Sequence, residues 1–447
     1  MNHYKETLRL GAPIMLGQLG IIVVGFADNI MVGHHSVQEL AAASFVNNFF
    51  NLAFICGMGF SYGLTPVVGR LYAQKQEHEI GGVLKNSLFL NGAVGVLLSL
   101  CMLFLLFHID WLGQPEELYP YIYPYYTLQL FSVVFAMLFN SFKQFSDGTT
   151  DTFTPMCIML AANVVNVIGN YLLIYGHAGF PEMGLTGAGI STLLSRVLTL
   201  VAFAALFAFR KKYAAYLKGF RESALNKAAL SRLARLGVPV GFQMGVESAS
   251  FSLSVIMMGW IGSSALAAYQ IGIVITTLGF MMYYGIGAAV AIRVSNFYGT
   301  NDMTGMKEAA RAGLNIMRMS MALFVCALLL FRKEIGYLFT SDEEVVSMVA
   351  LFAWPIMAYQ FGDSLQILYA NALRGITCVK YMAKAALFCH IGLALPIAYV
   401  CGFVFKWGAL GVWLGFPVSL TTLGVLLGIH FNRKTDELCE CRKSENR

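Results

Sequence analysis

The sequence predicts an all-α integral membrane protein of twelve transmembrane helices, arranged as two parallel six-helix repeats about a pseudo-two-fold axis along the membrane normal. Three observations predict this fold class: an apolar composition, twelve long apolar segments, and a self-similarity between the two halves. Of the 447 residues, 57% are hydrophobic and only 12% are charged, whereas soluble domains have about 25% charged residues. This composition excludes a soluble enzyme, a disordered chain and a nucleic-acid binder.

Twelve segments are long enough to cross a bilayer, which requires about 20 mostly apolar residues. They cover residues 10–33, 41–69, 86–107, 121–142, 155–176, 185–209, 237–261, 265–292, 313–331, 345–372, 383–405 and 409–431. With a cytoplasmic N-terminus, 24 of the 30 Lys and Arg residues fall in cytoplasmic segments and three in external loops. The other three, Arg196, Arg293 and Arg318, fall within or near span ends. Because cytoplasmic segments are rich in Lys and Arg, we expect a multi-pass protein of the cytoplasmic (inner) membrane with both termini in the cytoplasm.

The two halves of the chain align at an offset of 226 residues over their first two spans. The aligned pairs are Gly11 with Gly237, Pro13 with Pro239, Met31–Gly33 with Met257–Gly259, and Leu40–Ala42 with Leu266–Ala268. Six spans return the chain to its starting side, so the halves are parallel repeats, as in transporters that work by alternating access. We predict an N-terminal lobe at 1–209, a basic cytoplasmic linker at 210–236, a C-terminal lobe at 237–431 and a cytoplasmic tail at 432–447.

The source of energy is limited by what the sequence lacks. No G-x-x-x-x-G-K-[ST] phosphate-binding loop is present, and such a loop is the usual mark of an ATPase. We therefore expect a transporter rather than an enzyme, with no cofactor, driven by an ion gradient or by the gradient of its substrate. Because one chain supplies both lobes, a monomer suffices for function.

Three acidic residues, Asp28, Glu247 and Asp363, lie well inside apolar segments, whereas the other 21 fall in loops, tails or span ends. A charge near the bilayer centre costs roughly 2.5–3.5 kcal/mol on insertion scales, so such groups usually mark ion or substrate paths. A bound proton, Na⁺ or cationic substrate would each compensate the carboxylate. The three residues are therefore candidate Na⁺ ligands, and the pattern favours exchange of an ion for a cation.

Further polar side chains share helix faces with these carboxylates, because residues three or four apart lie on the same side of a helix. Gln243, Glu247, Ser250 and Ser254 form one stripe, bordered by Phe251, and Tyr359, Asp363 and Gln366 form another. Asn166 with Asn170, and Asn47 with Asn51, are pairs at the same four-residue spacing. For these amide pairs, a ligand-binding role and simple hydrogen bonding between helices are equally open.

Several motifs occur in a fixed order along the chain. They are Pro13, Gln18 and Asp28–Gly33; Leu40–Ala42; Asn166, Asn170 and Tyr175; Pro181–Gly184 and Gly187; Glu247 and Phe251; Tyr359, Asp363–Gln366 and Leu373–Gly375; and Gly408 with Gly411. In this order, on twelve spans with duplicated halves, the chain resembles the multidrug and toxic compound extrusion (MATE) family, most closely its NorM-like bacterial branch, over essentially its whole length.

This resemblance implies a Na⁺- or H⁺-coupled antiporter that exports amphipathic, mostly cationic drugs and dyes and so confers antibiotic resistance. It implies a cation site in the second lobe at Glu247, Asp363 and Tyr359, with Phe251 nearby. In the first lobe it implies an essential acid at Asp28 with amide partners at Asn166 and Asn170. The expected partners are small organic cations and the lipid bilayer. The alternative is a flippase for a lipid-linked or polyprenyl-carrier substrate, which would need a cationic cleft.

Overall fold

The computed structural model describes residues 2–112 and 115–445, and most of these residues are helical. The α-helices are α1 (His3–His35), α2 (Val37–Ser61), α3 (Leu64–Ala73), α4 (Glu77–Phe107), α5 (Tyr119–Gly148), α6 (Phe153–Ile174), α7 (Gly184–Phe209), α8 (Ala214–Glu222), α9 (Lys227–Ile261), α10 (Ser263–Gly299), α11 (Met303–Phe331), α12 (Glu343–Gly375), α13 (Val379–Leu387), α14 (Leu395–Tyr399) and α15 (Gly408–Glu445). Short 3₁₀ turns lie at Ile109–Leu112, Glu116–Leu118, His177–Gly179, Lys211–Tyr213 and Ile335–Leu338.

Within the described residues, twelve helical segments are long and apolar enough to cross a membrane. This number confirms the predicted fold class. Two of the spans contain more than one α-helix. The second consists of α2 and α3. In the eleventh, a wider π-helical turn at Phe388–Ala394 joins α13 to α14, and a further π-helical turn at Val400–Val404 follows α14. Pro396 lies between these turns; proline lacks an N–H and disrupts α-helical hydrogen bonding.

The break between α2 and α3 is a point of close backbone packing. A Cβ on Gly63 would lie 2.7 Å from the backbone nitrogen of Gly237, and a Cβ on Gly237 would lie 2.5 Å from the carbonyl oxygen of Phe60. Only glycine allows backbones to approach this closely. The predicted span 41–69 is therefore interrupted where α9 passes it.

The chain divides into two compact units. Unit 1 is Met1–Met15 together with Phe242–Arg447, and unit 2 is Leu16–Gly241. The divisions fall inside α1 and α9, a few residues after the repeat-matched Pro13 and Pro239. The lobe boundaries predicted from the internal repeat, 1–209 and 237–431, remain a prediction.

Each unit has its own apolar core. The core of unit 1 surrounds the fully buried Trp413, with Tyr269, Phe352 and Phe416 against it. In unit 2 the core includes Phe50 and Tyr126, whose rings meet edge to face at 4.8 Å. Large buried aromatic side chains of this kind contribute most to packing energy. The core of unit 1 includes Tyr359 and that of unit 2 includes Tyr125, and both tyrosines recur among the polar side chains described below.

Two glycines hold the short helix α8 against α4 within unit 2. A Cβ on Gly81 would lie 2.0 Å from the carbonyl oxygen of Tyr216, and a Cβ on Gly219 would lie 2.0 Å from that of His78. Both obstacles are backbone atoms, which cannot rotate away as a side chain can.

Gly219→Ala is therefore expected to destabilise the protein by about 1–3 kcal/mol, the usual range for overpacking. The check is the melting temperature of the purified protein in detergent. Gly25→Ala is the matched control, because a Cβ there meets nothing within 4 Å and alanine is favoured over glycine inside a helix by about 0.5–1 kcal/mol. Equal melting temperatures for Gly219→Ala and the wild type would contradict the close packing of α8.

A buried carboxylate closes the connection between α5 and α6. Asp151 Oδ2 accepts hydrogen bonds from the Tyr213 hydroxyl (2.7 Å), from Lys212 Nζ (2.8 Å) and from Thr154 Oγ1 (2.9 Å). Burial acts to raise the pKa of Asp151, but the hydrogen bonds from Lys212, Tyr213 and Thr154 outweigh it and hold that pKa below its ordinary value. Burial also raises the pKa of Tyr213 to about 12, so its hydroxyl remains a donor.

Asp151→Asn is expected to lower the free energy of unfolding by about 1.5–3 kcal/mol at neutral pH, the usual contribution of hydrogen bonds to a charged group. Because the folded-state pKa is depressed, this stability is fully present above the ordinary value of 3.8 and is lost as the pH falls towards the folded pKa. The melting-temperature gap between wild type and variant should thus stay constant from about pH 7 to 5 and close below about pH 4. A gap that persisted unchanged in acid would exclude the carboxylate as its cause.

Candidate functional site

In unit 1, helices α9 and α12 bring the two predicted polar stripes together. Gln366 Nε2 donates a hydrogen bond of 3.0 Å to Glu247 Oε2. Asp363 lies nearly one turn before Gln366 on α12 and is only 1% exposed. Gln243, one turn before Glu247 on α9, is also buried. The sequence placed these side chains on separate helix faces, and the structure joins those faces through a direct contact.

The carboxylate of Asp363 is the unusual group of this cluster. Neither of its oxygens has a hydrogen-bond partner among the described residues, and Gln366 Oε1 also lacks one. An ionised carboxylate buried without a partner is strongly unfavourable. Unit 1 therefore offers buried oxygen atoms that a proton or a cation would satisfy, and oxygen atoms are the ligands that hard cations prefer.

A cluster of aromatic rings, which we call the aromatic wall, includes Tyr359, one turn before Asp363 on α12. The Phe251 ring lies 6.3 Å from that of Tyr359 and stacks on Phe416 at 4.5 Å. Tyr359 is 5% exposed, and its ring is 6.4 Å from that of Trp413. Aromatic faces attract cations, so this wall and the carboxylates suit the same class of ligand.

Two buried polar residues of unit 1 were not predicted from the sequence. Gln360 and Tyr283 are fully buried, and neither the Gln360 amide nor the Tyr283 hydroxyl has a partner in the described residues. Gly279 makes room for Gln360, since a Cβ there would lie 2.2 Å from its Oε1. A signal was present in the sequence: Gly279 and Tyr283 share a face of α10, and Gln360 and Asp363 share one of α12.

In unit 2, Asp28 on α1 and Asn170 on α6 are in contact, because Asn170 Nδ2 donates a hydrogen bond to Asp28 Oδ1. Asn166, one turn earlier on α6, donates from Nδ2 to Thr192 Oγ1 on α7 at 3.4 Å. Both asparagines are buried, and in the described residues neither Oδ1 has a partner. The amide pair thus supplies free oxygens beside a carboxylate. Thr192 is a further residue that the sequence analysis missed.

The second asparagine pair behaves differently. Asn47 and Asn51 on α2 are both exposed. The Tyr125 hydroxyl donates a 3.0 Å hydrogen bond to Asn47 Oδ1, whereas within the described residues no hydrogen bond joins Asn51 to the other candidates. Of this pair, Asn47 alone is hydrogen-bonded to a second spanning helix in the part of the chain that the structure describes.

The three candidate Na⁺ ligands are divided between the two units. Asp28 belongs to unit 2, and Glu247 and Asp363 belong to unit 1. In the described part of the chain, no group of three or more His, Cys, Asp or Glu residues is placed to hold a metal ion. Any cation bound here would meet one or two carboxylates together with amide, hydroxyl or aromatic groups.

The position of Arg196 corrects the sequence analysis, which put it within or near a span end. It lies twelve residues after the start and thirteen before the end of α7, Gly184–Phe209. Its guanidinium carbon is 4.2 Å from the centre of the Phe54 ring, and its Nη1 donates to Gln129 Oε1 at 3.3 Å and to Ser132 Oγ. An arginine at mid-span is as strong a sign of function as an acid there.

Known proteins resemble the chain over nearly its whole length. The MatE family model matches residues 13–172 and 239–400, one match in each half. The chain is 30% identical over 436 residues to a probable multidrug resistance protein NorM of Xylella fastidiosa (strain 9a5c), covering 96% of this chain and 92% of the relative. It is 28% identical over 440 residues to the multidrug resistance protein NorM of Vibrio cholerae, covering 96% of each.

Solved structures share the fold at lower sequence identity. The eukaryotic MATE transporter AtDTX14 superposes with a TM-score of 0.87 at 18% identity, over 98% of both chains. A multidrug resistance MATE family transporter in an outward-facing conformation gives 0.85 at 21% identity, over 98% of this chain and 97% of the other. The family match in both halves, the full-length relatives and the twelve spans agree, and the chain therefore belongs to the MatE family of multi-pass membrane transporters and is not an enzyme.

Proposed function

We propose that the chain is a cation-coupled antiporter that uses a Na⁺ or H⁺ gradient to export amphipathic, mostly cationic drugs and dyes by alternating access. The observation that carries the proposal is Asp363, a buried carboxylate with neither oxygen partnered in the described residues. It lies nearly one turn before Gln366, which donates a hydrogen bond to the carboxylate of Glu247. The printed names of the relatives, multidrug resistance proteins, support the same class of substrate.

The chemistry follows from charge compensation. A buried carboxylate is stable when a proton, Na⁺ or an organic cation neutralises it, so each bound cation competes with the others for the same group. Entry of the coupling ion then favours release of the drug, and the membrane potential contributes roughly 2.3 kcal/mol per elementary charge per 100 mV. No cofactor is required for this cycle, and a monomer contains every residue it uses.

The orientation is part of the same proposal. The excess of Lys and Arg between alternate spans supports a cell inner membrane location with both termini in the cytoplasm. The flippase alternative would favour a predominantly cationic site, whereas Asp28, Glu247 and Asp363 are anionic.

The test is dye transport in everted membrane vesicles with Na⁺ and pH gradients imposed separately. We expect a saturable dye flux that one or both gradients drive and that collapses when that gradient is dissipated. Dye movement that ignored both gradients would refute cation coupling, and the absence of any dye movement would refute drug export.

A further inference from the structure

Arg196 is a charged side chain held by neutral partners. The hydrogen bonds of its guanidinium group run from Nη1 to Gln129 Oε1 and Ser132 Oγ. Both partners are buried, and Ser132 uses its own proton on the backbone oxygen of Gln129 at 2.7 Å. The Phe54 ring lies under the cation. These contacts fix the position of Arg196 without neutralising its charge.

A counter-charge is not in direct contact with Arg196. The acid of unit 2, Asp28, accepts a hydrogen bond from Asn170, and among the described residues no carboxylate forms an ion pair with Arg196. Asn166, one turn before Asn170 on α6, donates to Thr192, and Thr192 lies one turn before Arg196 on α7. These contacts place Asp28 and Arg196 in one region of unit 2. The region therefore contains one anionic and one cationic group that are close together but separate.

We propose that Arg196 binds an anionic group of the transported molecule, and that unit 2 thereby selects molecules carrying both a carboxylate and an amine. This inference rests on the proposed function. Within the described residues, Nε and Nη2 of Arg196 donate to no acceptor, and the side chain is half-buried rather than enclosed. A guanidinium group presents parallel N–H donors that match a carboxylate. Asp28 then receives the amine at the other end of the molecule.

Electrostatics explains the selectivity. A molecule with only a positive charge is attracted by Asp28 and repelled by Arg196, so it binds the pair less favourably than a molecule that carries both charges. A molecule with both charges is attracted at both ends. Lysine could not replace the arginine fully, because an ammonium group is a compact point charge without a planar set of donors.

The experiment compares two rhodamine dyes that differ at one position, one with a free carboxylate and one with its methyl ester. Their transport is measured in everted vesicles for the wild type, Arg196→Gln and Arg196→Lys. We expect Arg196→Gln to lower kcat/KM for the carboxylate dye at least tenfold while the ester dye keeps or exceeds its wild-type value. Arg196→Lys should retain part of the preference.

The ratio of the two dyes is measured in a single vesicle preparation, so it does not depend on how much variant inserts. Arg293→Gln is the matched control. It makes the same change at an arginine of unit 1 that bonds to His3 and Thr7 near the end of α10, and it should leave the ratio unchanged.

Three results would overturn the inference. An equal loss for both dyes in Arg196→Gln would assign Arg196 a structural role. An equal gain for both would make it a general electrostatic barrier. A wild type that exports the ester but not the carboxylate dye would remove the substrate class while leaving the proposed function intact. If the wild type exported neither dye, the proposed function itself would fail.

Discussion

Asp363→Asn is expected to abolish gradient-driven dye export while leaving the protein folded and inserted. Asparagine has nearly the same shape but no charge, so the coupling cation loses the carboxylate that compensates it. Removing one partner of a buried ion pair costs about 3–5 kcal/mol, which corresponds to a loss of cation affinity of at least about 100-fold. Because both Asp363 oxygens are unpartnered in the described residues, the neutral variant should be at least as stable as the wild type.

Two measurements on each variant separate an effect on transport from an effect on folding. Dye efflux reports function, and the melting temperature in detergent reports stability. Lost export with an unchanged or raised melting temperature supports the role of Asp363, whereas export at the wild-type rate would contradict it.

Glu247→Gln should lose dye export to a similar extent. Gln366→Ala removes the amide that donates the 3.0 Å hydrogen bond to Glu247 and should reduce export by a smaller factor of roughly 10. A hydrogen bond to a charged group contributes at least about 1.5 kcal/mol, which corresponds to about that factor.

Asp28→Asn is expected to have the second large effect, again a loss of dye export. Asp28 is the acid of unit 2, and its Oδ1 accepts the amide proton of Asn170. The asparagine variant keeps an oxygen for that hydrogen bond but removes the charge that an organic cation or a proton would meet. A normal rate of export from Asp28→Asn would show that unit 2 does not bind the transported cation through this residue.

The two acids can be distinguished by cation binding. A ligand that binds the folded state stabilises it by RT ln(1 + [L]/Kd), so Na⁺ at high concentration should raise the melting temperature if the protein uses Na⁺. Since Asp363 has the unpartnered carboxylate oxygens, we expect Asp363→Asn to lose the Na⁺-dependent increase and Asp28→Asn to keep it. Loss of that increase in both variants would contradict the assignment of Na⁺ to Asp363 alone of these two acids.

Much of the fold could be predicted from the sequence because hydropathy and length determine which segments cross a bilayer. All twelve spans were predicted, but their internal irregularities were not. The break at Tyr62–Gly63 depends on the approach of Gly237, 174 residues later in the chain, and the π-helical turns around Pro396 depend on how one helix accommodates a missing N–H. Neither cause produces a local pattern that hydropathy detects.

The candidate site could be predicted only in part, because contacts between different helices leave no local pattern in the sequence. Periodicity places Asp363 and Gln366 on one face of α12, but it cannot say that Gln366 reaches Glu247 on α9. Carboxylates inside apolar runs are conspicuous, whereas Gln360, Tyr283 and Thr192 are uncharged and resemble the many polar residues that simply join helices. Arg196 gives no separate signal, because a single basic residue in a span resembles the Lys and Arg residues near span ends, whose long side chains reach the interface.

The division of the chain at Met15 and Gly241 determines how family members can be recombined. A cut in the linker at 210–236 yields two fragments, and each carries helical turns that belong to the compact unit of the other, namely the start of α1 and the start of α9. We therefore expect the separate fragments to be unstable alone. A chimera that exchanges a whole compact unit between two transporters needs two crossover points, one after Met15 and one after Gly241.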